Sequence, residues 1–214
     1  MFYRRGWVSQ PSLRLGLETK PLQVFITNHL ELLYNMGDLV TKRLRLVPFK
    51  LPIVQAAMIG DTELGKVLDV TVVPNWIDQE FYDNLPEIAN ILNKSPLQGE
   101  WGWGNLVIQQ AENTLIGHVM LKIIPDIPDP TGSPTGSLEI GYQIAPSYRR
   151  RGYGSEATKA VLDWAFSQPS VEKVTAGCDA DNIGSQRLLE KIGMQHTQTR
   201  ANGQVLVWEL SRSS

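Results

Sequence analysis

The sequence predicts a mixed α/β domain built on a mostly antiparallel sheet that contains one parallel strand pair. Three observations predict it. Along the 214 residues the periodicities run strand, helices, three strands, helix, strand, helix, two strands. Turn residues at 112–113 and 201–203 join neighbouring strands as hairpins, which are antiparallel by construction. The strands at 137–144 and 171–178 are instead separated by a helix, and such a crossover lays its two strands parallel and right-handed.

The elements follow in order. Residues 1–38 scatter Arg4, Arg5, Arg14 and Lys20 among isolated apolar residues, with one compact apolar patch at 24–26. Too little apolar surface is present for a core, so 1–38 reads as an N-terminal extension and 39–214 as the domain. The patch leaves docking on the domain, or across a homodimer, open. Leu44, Leu46 and Phe49 then begin a strand pattern, and the apolar run 51–59 carries Pro52 where a first helical turn tolerates it. Phe81, Leu85, Ile88 and Leu92 put one apolar face on a helix over 78–92. Strands around 106–108 and 115–124 flank the turn at Glu112 and Asn113. Four prolines and two glycines make 125–136 an exposed loop. Ala157, Ala160, Val161, Trp164 and Ala165 mark a helix over 154–166. Strand 171–178, helix 182–192 and strands 194–199 and 204–210 complete the chain.

Composition excludes several functions. Twenty Lys and Arg against 22 Asp and Glu leave a formal charge of −2, so a general nucleic-acid binder is not expected, and any anionic ligand needs a local basic cluster. Cys178 is the single cysteine, and His29, His118 and His196 have no ligand spacing, so neither a disulfide framework nor a metal site is expected. Cys178 itself reads as a small core residue. No window reaches the roughly 18 consecutive apolar residues of a membrane span, and no secretory h-region opens the chain. A cytoplasmic protein without a membrane partner is the expectation.

One segment concentrates chemistry. Residues 147–157 read Ser-Tyr-Arg-Arg-Arg-Gly-Tyr-Gly-Ser-Glu-Ala between a strand and a helix. Unpaired N–H groups at a helix N-terminus form an anion site, and Gly152 and Gly154 let a phosphate approach the backbone. Arg149, Arg150 and Arg151 add the charge that the overall composition lacks. The same stretch satisfies the dinucleotide fingerprint G-x-G-x-x-A, making a dinucleotide-binding oxidoreductase a remote alternative. That fingerprint normally follows the first of several parallel strands, and here only one further α/β unit follows.

Arg149-x-x-Gly152-x-Gly154 after Leu138-Glu-Ile-Gly-Tyr142, with Asp181-Asn182-x-x-Ser185 opening the next helix and Leu189-Glu-Lys-Ile-Gly-Met194 closing it, resembles the GNAT acetyltransferases. The RimJ/RimL-like branch is the most similar. The resemblance implies a GNAT-like central twisted sheet with helices on both faces and the parallel pair around an acyl-CoA site. It also implies that acetyl-CoA is the cosubstrate, with no metal. By the same resemblance Arg149 to Gly154, Tyr153 included, surround the pyrophosphate. Gln143, Ile144 and Ala145 bond the pantetheine arm through backbone groups, and Asn182 and Ser185 face the thioester. Asn182 also suits the N-cap of its helix.

The implied function is N-acetyl transfer to a primary amine by direct attack in a ternary complex. The acceptor is a small-molecule amine or a protein N-terminus. Such transfer needs a neutral amine, a proton acceptor and donors for the oxyanion. Glu139 is the candidate base, because it shares a strand face with Gly141 and Gln143 rather than with Leu138, Ile140 and Tyr142. Many family members place a tyrosine where this chain has Leu189, which leaves Ser185 or water as the acid. That departure favours the alternative of a non-catalytic acyl-CoA sensor or scaffold. Trp76, Trp101 and Trp103, with Asp126 or Asp129, are candidates for the acceptor wall.

Overall fold

A computed structural model describes residues 37–94, 104–125, 136–168 and 171–212. Most of the expected extension, Trp101 and Trp103, and the loop residues Asp126 and Asp129 lie outside the described residues.

The chain opens with β1 (Leu39–Val40) and β2 (Leu44–Pro48), then α1 (Leu51–Ile59), α2 (Asp61–Leu68), β3 (Thr71–Val72) and α3 (Gln79–Lys94). Strands β4 (Gly104–Gln109), β5 (Thr114–Pro125) and β6 (Gly136–Ile144) follow. A 3₁₀ turn at Pro146–Tyr148 leads into α4 (Tyr153–Ser167), β7 (Lys173–Asp179), α5 (Ile183–Lys191), β8 (Gln195–Arg200) and β9 (Val205–Ser211). The sheet runs β1-β2-β4-β5-β6-β7-β9-β8, antiparallel except at β6 and β7. In addition, β3 adds a two-residue parallel ladder beside the start of β5.

Three short elements go beyond the sequence reading. Helix α2 starts at Gly60, carries Asp61 and Glu63 in its first turn and ends on Asp69 in the left-handed region at φ 54°. Only Leu64 of its eight residues is buried, and Leu64, Val67 and Leu68 span little more than one turn, too short a run for the sequence reading. β1 and β3 have two residues each, below the length at which alternation is readable.

Alternation divides the core between the two sheet faces. Leu44, Leu46, Val107, Ile116 and Val119 pack with α4 and α5 residues such as Ala157, Val161 and Leu189. Leu106, Ile108 and Leu115 pack on the other face with Val54, Leu64, Leu85 and Ile88 from α1 to α3. Leu115 and Ile116 are neighbours on opposite faces at the start of a β-bulge, where the register shifts between Val107 and Ile108. His118 belongs to the second face. Its ring centroid stands 4.6 Å from that of Phe81, and burial pushes its pKa down to about 4 despite the nearby Asp78, so it is a neutral core residue. Trp76 is likewise core: it is 2% exposed, meets Phe49 edge-on and donates Nε1–H to Asp61 at 3.0 Å. Of the readings open for Trp76, acceptor wall or packing, the structure gives core packing. Cys178 is buried, as expected. Among the described residues no helix is long and apolar enough to cross a membrane.

The parallel pair positions the site. β6 and β7 are paired only at Leu138 with Val174 and Glu139 with Thr175. Beyond Glu139, β6 stays with β5 as far as Ile144 and β7 stays with β9 as far as Asp179. The two strands therefore fork, and among the described residues no strand pairs with that edge of β6 from Ile140 to Ile144.

Candidate active site

A cleft of about 690 Å³ fills the fork, bounded by the end of β6, the 149–154 loop with the start of α4, and one face of α5. Each wall has a local cause. Arg150 at φ 60° and Gly152 at φ 81° both adopt left-handed backbone, which turns the chain sharply into α4. The amides of Tyr153, Gly154 and Ser155 precede the first intrahelical bond, from Glu156 N–H to the Gly152 carbonyl at 3.1 Å. They are the unpaired donors of a helix N-terminus. A Cβ at Gly154 would stand 2.8 Å from Leu188 Cδ1, so this glycine also lets α4 and α5 close together. Asn182 caps α5, its Oδ1 accepting from Ser185 N–H at 3.1 Å, while still lining the cleft. Both roles considered for Asn182 are geometrically compatible.

The structure gathers Gln143, Ile144, Arg149, Arg150, Gly152, Tyr153, Gly154, Asn182 and Ser185 around this one cleft. Three expectations change. Arg151 turns away: its guanidinium lies 5.1 Å from the Tyr148 ring centre, its carbonyl accepts from Arg43 Nη1 at 3.0 Å, and it does not line the cleft. Ala145 has its backbone occupied, N–H to the Ile116 carbonyl at 2.8 Å and carbonyl from Tyr148 N–H at 2.9 Å. Because backbone groups alternate sides along an antiparallel ladder, Gln143 also directs its N–H and C=O to β5. Tyr142 and Ile144 therefore present their main chain to the fork. Which main-chain groups of this strand end face the cleft is a distinction that requires the β5 register. Third, Glu139 does not line this cleft. It sits half-buried at the root of the fork on the opposite sheet face, with Oε1 3.6 Å from where a Cβ at Gly177 of β7 would stand.

Sequence reading missed Arg187 and Lys191, which line the cleft from α5. Their i, i+4 spacing puts both on one helix face with Leu188 between them, but only the fold aims that face at α4. With Arg149 and Arg150 they make four cations, and the lining residues include no Asp or Glu. Arg149 donates Nε–H to the Ile144 carbonyl at 2.8 Å, tying the loop to the strand end.

Behind the loop lies a second network. Glu156 accepts from Thr41 Oγ1 at 2.6 Å, Arg43 N–H at 2.9 Å and Arg43 Nε at 2.6 Å, and the Arg43 guanidinium lies 4.4 Å from the Tyr153 ring centre. Burial alone would raise the Glu156 pKa, but the Thr41 and Arg43 hydrogen bonds and the guanidinium charge together hold it below the usual carboxylate range. A depressed folded-state pKa adds stability above the unfolded value, lost as pH falls through the folded one. Glu156→Gln is therefore expected to cost about 1 kcal/mol at neutral pH in this partly solvated pair. Urea melts at decreasing pH should show the gap to the wild type closing in the carboxylate range; a constant gap would refute the charge contribution.

Comparison with known proteins agrees with this geometry. Residues 43–195 match the acetyltransferase (GNAT) domain family. The uncharacterised N-acetyltransferase YjdG of Bacillus subtilis is 33% identical over 156 residues, which is 72% of this chain and 88% of that protein. A GNAT-family acetyltransferase from Bacillus anthracis superposes with a TM-score of 0.53 at 22% identity, covering 81% of this chain and 98% of that one. RimL, a ribosomal L7/L12 α-N-protein acetyltransferase solved with coenzyme A, does so with 0.54 at 15% identity, covering 82% and 98%. At such identities the superpositions speak for the fold. The family match spans well over half the chain, and with the YjdG relationship it makes this chain an N-acetyltransferase of the GNAT family.

Proposed function

We propose that the chain transfers the acetyl group of acetyl-CoA to a primary amine by direct attack in a ternary complex. The observation that carries this reading is the forked cleft lined by four cations and no acid in a chain of net charge −2. A polyanion with a slender neutral arm fits it: pyrophosphate on the α4 N-terminus with Arg149 and Arg150 beside it, and the pantetheine arm along the cleft-facing side of β6 at Tyr142 and Ile144. Asn182 and Ser185 then stand at the thioester end. The fork opens the sheet between its faces, so an amine approaching from the α3 side meets Glu139, the base. RimL was solved with coenzyme A, a ligand of the same form. The acceptor is a small amine or a protein N-terminus.

Calorimetry with acetyl-CoA and thiol release over a panel of primary amines and peptides with free N-termini test this. Binding with amine-dependent release of CoA is the expected result. Binding without release for any acceptor would make the chain an acyl-CoA sensor or scaffold, and absence of binding would overturn the assignment of the cleft.

A further inference from the structure

The phenol of Tyr142 reaches Ser185 inside the cleft: Tyr142 Oη lies 2.7 Å from Ser185 Oγ and 3.3 Å from the Ser185 carbonyl. Both residues are buried, at 8% and 6% exposure, and both line the cleft. One comes from β6 and the other from the first turn of α5, so tertiary structure makes the contact. Leu189, at the position expected to hold a phenol, is fully buried in the core instead.

We propose that Tyr142 is a positioning residue for acetyl transfer, its hydroxyl donating to Ser185 Oγ and so turning the Ser185 O–H toward the sulfur of the thioester. The proposal rests on the transfer reaction above, with Ser185 at the thioester end. Between the Ser185 carbonyl and Ser185 Oγ, Oγ is the nearer to Tyr142 Oη, and a phenol is a stronger donor than an aliphatic hydroxyl. The Ser185 main chain is already held by Asn182 Oδ1, which leaves the hydroxyl rotor as the free variable. The hydrogen bond from Tyr142 O–H engages one lone pair of Oγ, and the Ser185 O–H is left to point into the cleft.

The titratable neighbour on β7 is Cys178, and burial raises its pKa as it raises that of Tyr142, so both stay protonated and neutral at working pH. In the transfer, the new N–C bond forms as the C–S bond breaks and its electron pair passes to sulfur. The amine loses one proton and the thiol gains one. Ser185 gives the sulfur a hydrogen bond and keeps its own proton, so Tyr142 is never ionised.

Tyr142→Phe in the full chain removes the hydroxyl and keeps the ring. Its acetyl-CoA affinity by calorimetry should match the wild type, while transfer to the best amine of the panel falls about tenfold, the effect of one well-placed hydrogen bond. The thiol of bound CoA, titrated by its thiolate ultraviolet absorption against a desulfo-CoA blank, should ionise about one pH unit higher than in the wild type, the same tenfold effect. Ser185→Ala should reproduce that shift, and adding Tyr142→Phe to it should change nothing further. An unchanged thiol titration in Tyr142→Phe overturns the proposal, and so does a second equal shift in the Ser185→Ala background. If no amine in the panel is acetylated, the transfer reading fails, and the thiol titration still decides whether Tyr142 sets the Ser185 hydroxyl. If the wild type binds no CoA, both fall.

Discussion

Gly152→Val is expected to remove measurable acetyl-CoA binding from a protein that still folds. Gly152 is the N-cap of α4 at φ 81°, a conformation that is costly for any L-residue and worst for a β-branched one. The strain is on the order of 1–2 kcal/mol even before side-chain crowding. A Cβ there would also stand 3.4 Å from Arg43 Nη2, against the network that backs the loop. The cheapest relief is for the loop to leave its left-handed turn. Doing so turns the Tyr153, Gly154 and Ser155 amides away from the cleft. The rest of the fold has little reason to follow, because the two cores lie in the sheet faces and Gly152 is half-exposed. Calorimetry should show affinity lower by about 100-fold or more, which corresponds to roughly 3 kcal/mol. Thermal melting should shift only a few degrees. A folded Gly152→Val protein with wild-type affinity would show that the α4 N-terminus does not hold the pyrophosphate.

Legibility in the sequence followed the distance over which each feature is built. The loop from Arg149 to Gly154 was readable because its chemistry is local: two glycines, adjacent cations and a helix start lie within one turn of each other. Helices α3, α4 and α5 and the long strands were readable to within one or two residues, since each carries several periods of its own pattern. Tyr142, Arg187 and Lys191 were not, because their relevance depends on β6 and α5 converging at the fork, which no local pattern encodes. The direction of the Gln143 and Ala145 main chain was hidden for a related reason. Which residues of a strand face an open edge depends on ladder register, and register is a property of the pair. Trp76 was ambiguous because a tryptophan in a loop next to a helix start looks the same whether it faces ligand or core. Its bond to Asp61 and its contact with Phe49 decide for the core.

Glu139→Gln is expected to lower turnover by roughly 100-fold or more while leaving acetyl-CoA affinity nearly intact, the signature of a lost general base. The fork gives Glu139 its candidacy. It is the last β6 residue paired with β7, and from the next residue onward the sheet is open between its faces. Its side chain lies toward Gly177 on the face away from Tyr142 and Ser185, so the Glu139 carboxyl and the Ser185 hydroxyl stand on opposite sides of the same opening. An amine entering from the Glu139 side would lose its proton there while the leaving sulfur stays on the Ser185 side. The substitution is nearly isosteric, so packing against β7 should persist and cofactor affinity should not move. The pH dependence supplies the sharper check. A carboxylate base must be ionised to act, so an ascending limb of the wild-type pH–rate profile should be missing from Glu139→Gln. A variant that keeps both the rate and the limb would pass the proton-accepting role to water. One that loses acetyl-CoA affinity along with rate would make Glu139 a structural brace of the fork.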